Sequence, residues 1–368
     1  VVNTLLLSSM TAGGNGIQQN ECEAARTLIA NHIRPYLFVT LIQGLLYYSI
    51  EAAYGNEGAR GYLLAYTQAL LPYVQTADAD GADGLHKNSD YFRNESTHIN
   101  VTDAFAVVKS VLPALNIDCA RVGQMNVTGT SVGVCPQDEP PPTVGTATLA
   151  PVTPTTTTDL AWGRYPFVAA SVAVQDSMFS LDLKAMYFTP EAAGQIYLNP
   201  SVNAQRGLWS QPEVKSLQDF STQVSLFMGQ DPTYSFFLVA LFDDDSFDEN
   251  ISGVENGWAY GDAVEKLAVG VDNSNSAQLG SKTVVVMEIW TVIAHTLYSA
   301  VRLCELSHDV PELIDSAVGH WIGQDQRQGV FNSDWAVYSV AQFRSQVGQK
   351  ASRASGRDCS QSRHPVAS

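Results

Sequence analysis

Apolar positions recur at helical spacing along most of the chain, and the longest uncharged run is residues 35–50, PYLFVTLIQGLLYYSI. Leu37, Leu41, Gly44, Leu45 and Tyr48 share one helical face, which predicts a buried helix. Asn56, Gly58 and Gly61 punctuate it, and a second, amphipathic helix is expected from about Tyr62 to Val74, packed back on the first. Around this pair the pattern predicts a helix from Cys22 ending before Pro35, and one from Asp103 to Leu115 with Thr102 as N-cap. An alanine-rich helix is expected from Phe167 to Phe188, followed by a helix start at Thr189-Pro190-Glu191. Further helices are predicted over 213–229, 259–270 and 281–306, from Pro311 onward, and over 333–347. Residues 1–20, 76–103, 119–135 and 198–212 read as loops, the first with one helical turn.

The plan returns about 197 residues later. Pro35 corresponds to Pro232, Leu37-Phe38-Val39 to Phe237-Leu238-Val239, and Glu57-Gly58-Ala59 to Asn256-Gly257-Trp258. The expected fold is therefore all-α: two related helical-bundle repeats joined by a Pro/Thr-rich linker. The first repeat spans 1–135 and the linker 136–158; 159–347 holds the second repeat and the start of a further unit, and 348–368 a basic polar tail. Residues 311–347 resemble the beginning of a unit, whereas 1–60 resemble the middle of one. One expectation is that the C-terminal segment of one molecule completes the N-terminal unit of its neighbour, giving a head-to-tail filament. The alternative is a single chain that closes on itself.

Composition narrows the setting. Hydrophobic residues make up 45 %, enough for a sizeable core, while charged residues are only 15 %, below the roughly 25 % usual in soluble domains. With 20 Lys and Arg against 37 Asp and Glu, the net charge of −17 disfavours nucleic acid, whose phosphates need basic partners. It permits attraction of cations. The opening VVNTLLLSSM is not a charged region followed by an apolar core, so the start is expected to be mature or internal to a longer precursor. No membrane span is expected: residues 35–50 are short of the roughly 20 needed, and 283–301 are interrupted by Glu288 and His295.

Several features point outside the cell. N-glycosylation sequons stand at Asn94, Asn100, Asn126 and Asn250, the first three clustered between residues 94 and 128. The tract 136–158, with PPPT and PTPTTTT, suits O-linked glycans. Five cysteines fit a disulfide-bearing secreted, periplasmic or cell-surface protein. Cys119 and Cys135 flank a short loop and are the expected pair; Cys22, Cys304 and Cys359 leave one thiol over.

No nucleophile elbow, P-loop, Rossmann glycine fingerprint, HExxH or CxxC pair is present, so no catalytic residues are assigned and a non-enzymatic role is expected. Acidic groups offer cation ligands instead. Asp78, Asp80 and Asp83 alternate with Gly81 and Gly84 in a pattern able to wrap calcium in oxygens. Asp243, Asp244, Asp245, Asp248, Glu249 and Glu255 crowd an acidic turn suited to a hard cation, iron or calcium. Glu288 and His295 stand seven apart on one helix, able to ligate a metal or form a core hydrogen bond. Glu305, His308, Asp309 and Glu312 gather at a helix end, where such residues often cap.

Four patches, Leu41 to Tyr48, Glu57-Gly58, Cys119 to Gly123 (CARVG) and Ile314 to Gly323 (IDSAVGHWIG), resemble the iron-assimilation family of algae. These are secreted proteins of repeated helical domains induced by high CO₂ or iron deficiency. The resemblance implies an extracellular algal protein associated with iron uptake, without established catalysis. Glu57 falls at the family's Glu-Gly position, which in the second copy is Asn256. A structural glycoprotein that self-assembles into filaments or a coat is the second expectation.

Overall fold

Helices dominate the computed structural model, which describes residues 2–89, 99–127, 130–133, 168–206, 214–221, 280–308, 310–324 and 336–337. The all-α expectation holds for these residues, apart from one antiparallel hairpin of β1 (Gln124–Val127) and β2 (Thr130–Gly133). In order come α1 (Val2–Gln18), α2 (Cys22–Leu28), α3 (Arg34–Ala53), α4 (Glu57–Ala77), α5 (Ala79–Ser89), α6 (Val101–Val111) and α7 (Cys119–Val122). After the hairpin follow α8 (Ala170–Ser177), α9 (Phe179–Phe188), α10 (Ala193–Leu198), α11 (Val202–Gln205), α12 (Trp290–Glu305) and α13 (Pro311–Ile322). The second copy of the plan, the Pro/Thr tract and the basic tail lie outside the described residues.

Several expected boundaries change. The helix from Cys22 does not stop before Pro35: a π-helical turn, Ile29–Ile33, joins α2 to α3. A proline ring in a regular helix collides with the carbonyl four residues earlier, and a wider turn at that place accommodates it. Residues 2–18, expected as loop, are helical, because Leu6, Met10 and Ile17 are buried and α1 packs on α2 and α13. That burial overrides the weak helix propensity of Gly13, Gly14 and Gly16. The stretch 76–103 holds α5, whose Ala82 and Leu85 are buried. Asn100, not Thr102, caps α6: its Oδ1 accepts from the Asp103 N–H at 3.3 Å. The expected single helix over 167–188 divides at Met178, where the Ser177 and Ser180 hydroxyls donate to the carbonyls of Val174 and Ser177 and compete with the backbone ladder.

The apolar α3 lies at the centre, against α1, α4, α6 and α7. Gly44 permits the close approach of α4, since a methyl group there would sit 2.0 Å from the Tyr66 ring. A second π-helical turn, Val284–Ile289, leads into α12 and packs on α4. At that junction Trp290 meets Phe38 and Tyr73 with ring centroids 5.0 and 5.5 Å away, and its Nε1–H donates to the Leu37 carbonyl at 3.2 Å. α13 packs between α8 and α12, and Gly319 lies so close to α8 that an added Cβ would be 2.5 Å from the Ala173 carbonyl oxygen.

The ends of the described chain meet. α13 rests on α1, and a Cys22–Cys304 disulfide joins residues 282 apart. Neither cysteine is therefore the spare thiol of the sequence reading. Arg26 pairs with Glu305 beside it. In the chain-entropy picture a crosslink this long removes about 5 kcal/mol of unfolded-state freedom. One apolar core runs from Leu6 to Val337, so the segments before and after the Pro/Thr tract share it. Because π turns fuse shorter segments, two helices, Cys22–Ala53 and Gly280–Glu305, are long and apolar enough to cross a membrane, with 72 % of each apolar window buried against the rest of the protein.

Gly319→Ala is expected to cost about 1–3 kcal/mol, because the methyl meets backbone that has nowhere to move. Gly84→Ala, on α5 with nothing within 4 Å of the new methyl, should stabilise by about 0.5–1 kcal/mol. Urea denaturation of both variants checks the pair, and a Gly319→Ala protein as stable as the wild type would contradict this packing.

Candidate functional site

A buried polar cluster joins α10 to the second π turn, beside an aromatic stack contributed by α9 and α13. Glu288 sits on the second π turn and is only 1 % exposed. Its Oε1 accepts from the Ser221 hydroxyl at 2.5 Å, and the Ser221 oxygen lies 2.9 Å from the Tyr197 hydroxyl. Beside Ser221, Phe220 belongs to an aromatic stack in which the His320 ring lies 6.1 Å from Phe220 and 5.5 Å from Phe179. The His320 Nδ1 is 2.9 Å from the Ser316 carbonyl of its own helix, which fixes the ring.

Two further carboxylates serve helix ends. Asp315 on α13 is 1 % exposed, and its Oδ2 accepts from the N–H groups of Val168 and Ala169 at 2.7 and 2.5 Å, just ahead of α8. A carboxylate there complements the positive helix terminus. Asp182 accepts from the Ser201 hydroxyl at 2.6 Å and from Asn203 Nδ2 at 3.2 Å, holding α11 to α9. Burial raises the Asp182 carboxyl above its ordinary value, opposed by those two hydrogen bonds.

The expected cation ligands divide. Asp78 precedes α5: its Oδ1 accepts from the Gly81 N–H at 2.9 Å and its Oδ2 from the Ser110 hydroxyl at 3.0 Å. Asp80 is exposed in the first turn of α5, and Asp83 pairs with Lys87 at 2.5 Å, one helical turn on. Asp80 and Asp83 thus stand on a helix, with Asp78 just ahead of it, rather than wrapping a loop. Asp243, Asp244, Asp245, Asp248, Glu249 and Glu255 lie outside the described residues. Glu288 and His295 are separated by the end of the π turn; Glu288 bonds Ser221, whereas His295 Nε2 is 3.4 Å from the Ser299 hydroxyl. Among the described residues no three His, Cys, Asp or Glu side chains gather as a metal site.

The sequon at Asn100 lies at the exposed start of α6, with Asn100 Nδ2 donating to Asp103 at 2.6 Å. Asn126 lies on β1 opposite Ser131, and Asn94 and Asn250 lie outside the described residues. Cys119 is disulfide-bonded; Cys135, its expected partner, lies outside them. Sequence reading singled out Glu288 but missed Ser221, Tyr197, Asp182 and Asp315. Asp315, the acid inside the apolar run LIDSAVGHWI, carried the one available signal. No family model, curated protein or solved structure matches the chain.

Asp182→Asn provides a pH test. The folded protein keeps the Asp182 proton to a higher pH than the unfolded chain, so its contribution is fully present below the ordinary carboxyl value and is lost as pH rises through the raised one. Asparagine removes that slope. Urea midpoints from acid to neutral pH should show the wild type losing ground to Asp182→Asn as pH rises; a gap independent of pH would refute the assignment.

Proposed function

We propose that this chain is a secreted, N-glycosylated, non-catalytic protein that binds iron at a cell surface. The Cys22–Cys304 disulfide carries the extracellular part of this reading, since such crosslinks persist in oxidising compartments. The exposed sequon at Asn100 supports it. The iron part rests on the resemblance to algal iron-assimilation proteins and on the acidic turn with Asp243, Asp244, Asp245, Asp248, Glu249 and Glu255. Asp78 and Asp83 already have protein partners, which leaves that turn as the better ligand set. The two-repeat plan belongs to the same proposal, the second repeat being built around Pro232.

A second reading reuses the docking of α13 on α1. The same contact made between molecules, by exchange of the C-terminal segment, would produce head-to-tail polymers and a structural coat.

Metal analysis and particle sizing on one natively purified sample test both readings. Stoichiometric iron in a small, discrete particle is expected, with the iron lost when Asp243, Asp244 and Asp245 are replaced by Asn. Metal-free, long and regular particles that resist chelators would overturn iron binding in favour of the coat.

A further inference from the structure

A different place in the fold holds an arginine with no ion pair among the described residues. Arg121 stands on the four-residue α7, and its position is fixed from several sides. Asp118 Oδ1 accepts from the Ala120 N–H at 3.0 Å, Cys119 is disulfide-bonded, and Gln43 Nε2 on α3 donates to the Val122 carbonyl at 2.8 Å. The guanidinium carbon lies 5.2 Å from the centre of the buried Tyr36 ring. Its Nε is buried and donates to no protein atom, and Arg121 forms no ion pair among the described residues. Asp118, the carboxylate nearest in sequence, is turned to its own helix start.

A buried donor left unsatisfied costs about 1–3 kcal/mol, more where it belongs to a charged group. Orphan donors of this kind call for a partner beyond the side chains in place. The surroundings supply more donors. His32, on the first π turn, is half-buried and close enough to Arg121 to feel its charge: burial first, and the guanidinium second, hold its imidazole below the ordinary value. Next to it Asn31 Oδ1 accepts from Asn116 Nδ2 at 3.3 Å, tying the π turn to the segment that leads into α7. π turns interrupt helices frequently at functional places. In a chain of net charge −17, a guanidinium with a buried, unsatisfied donor and no ion pair among the described residues is a natural partner for an anion.

We infer that Arg121 and His32 form a binding site for a small oxyanion of the phosphate or sulfate class, between the first π turn and α7. The guanidinium presents a planar fork suited to such oxygens, backed by the Tyr36 ring, and His32 supplies a second donor. This site stands apart from the iron reading: it uses none of the acidic turn and survives if no metal binds.

Isothermal titration of the full chain with inorganic phosphate, and separately with sulfate, at ionic strength held constant with sodium chloride, tests the site. Saturable stoichiometric binding is expected, weakened about tenfold or more in Arg121→Gln and unchanged in Lys87→Gln, whose ammonium is paired elsewhere. Preference for one anion identifies the source. If Arg121→Gln fails to fold, His32→Gln carries the same test and should weaken binding several-fold while the thermal midpoint without anion stays near wild type. Absence of saturable binding to the wild type, or equal binding by wild type and whichever of these variants folds, would overturn the site.

Discussion

The fold depends on burying one helix on nearly every side. Within α3, Pro35 to Ile42 are all buried, and Gly44, Leu45, Leu46, Ser49, Ile50 and Ala52 join them further along. A helix apolar all round cannot rest on a surface; it must be enclosed by others. The enclosure draws on distant parts of the chain: α1, α4, α6, α7 and, through Trp290, the helix that begins beyond residue 280. The Trp290, Phe38 and Tyr73 rings are where the early and late segments become one core, and truncating such rings typically costs about 3–5 kcal/mol.

With α3 enclosed, the late segment needs its own fastening, and polar groups supply it. Asp315 holds the start of α8, Asp182 holds α11, and Ser221 bridges Glu288 and Tyr197. Each is a local solution to a desolvated charge, which must find donors when it leaves water. None of these groups converges with the others into a catalytic arrangement among the described residues.

Burial and chain closure also bear on how the molecule ends. The Cys22–Cys304 crosslink and the docking of α13 on α1 place the late segment on the beginning of the same chain. Exchange of that segment between molecules would reuse the same apolar faces, so the contact describes what an assembly would use without requiring one.

Periodicity by itself determined the helices whose apolar face repeats regularly. Residues 35–50 and 62–74 announced α3 and α4, and Pro311 announced α13, because spacing alone marks a side to be buried. Composition and motif determined the acidic balance, the sequons and the absence of familiar catalytic signatures. Tertiary structure decided the rest. Gly13, Gly14 and Gly16 became helical because α1 packs on α2, the first π turn and α13; α5 formed where its alternating acids and glycines read as a loop, because Ala82 and Leu85 had a surface to cover. Cys22 found Cys304 rather than remaining a candidate spare, since sequence carries no record of which cysteines are close in space. Arg121 and Tyr36, 85 positions apart, likewise meet only through the packing of α7 on the central helix. Local rules act within a turn or two of helix, whereas a site is made of residues that only packing brings together.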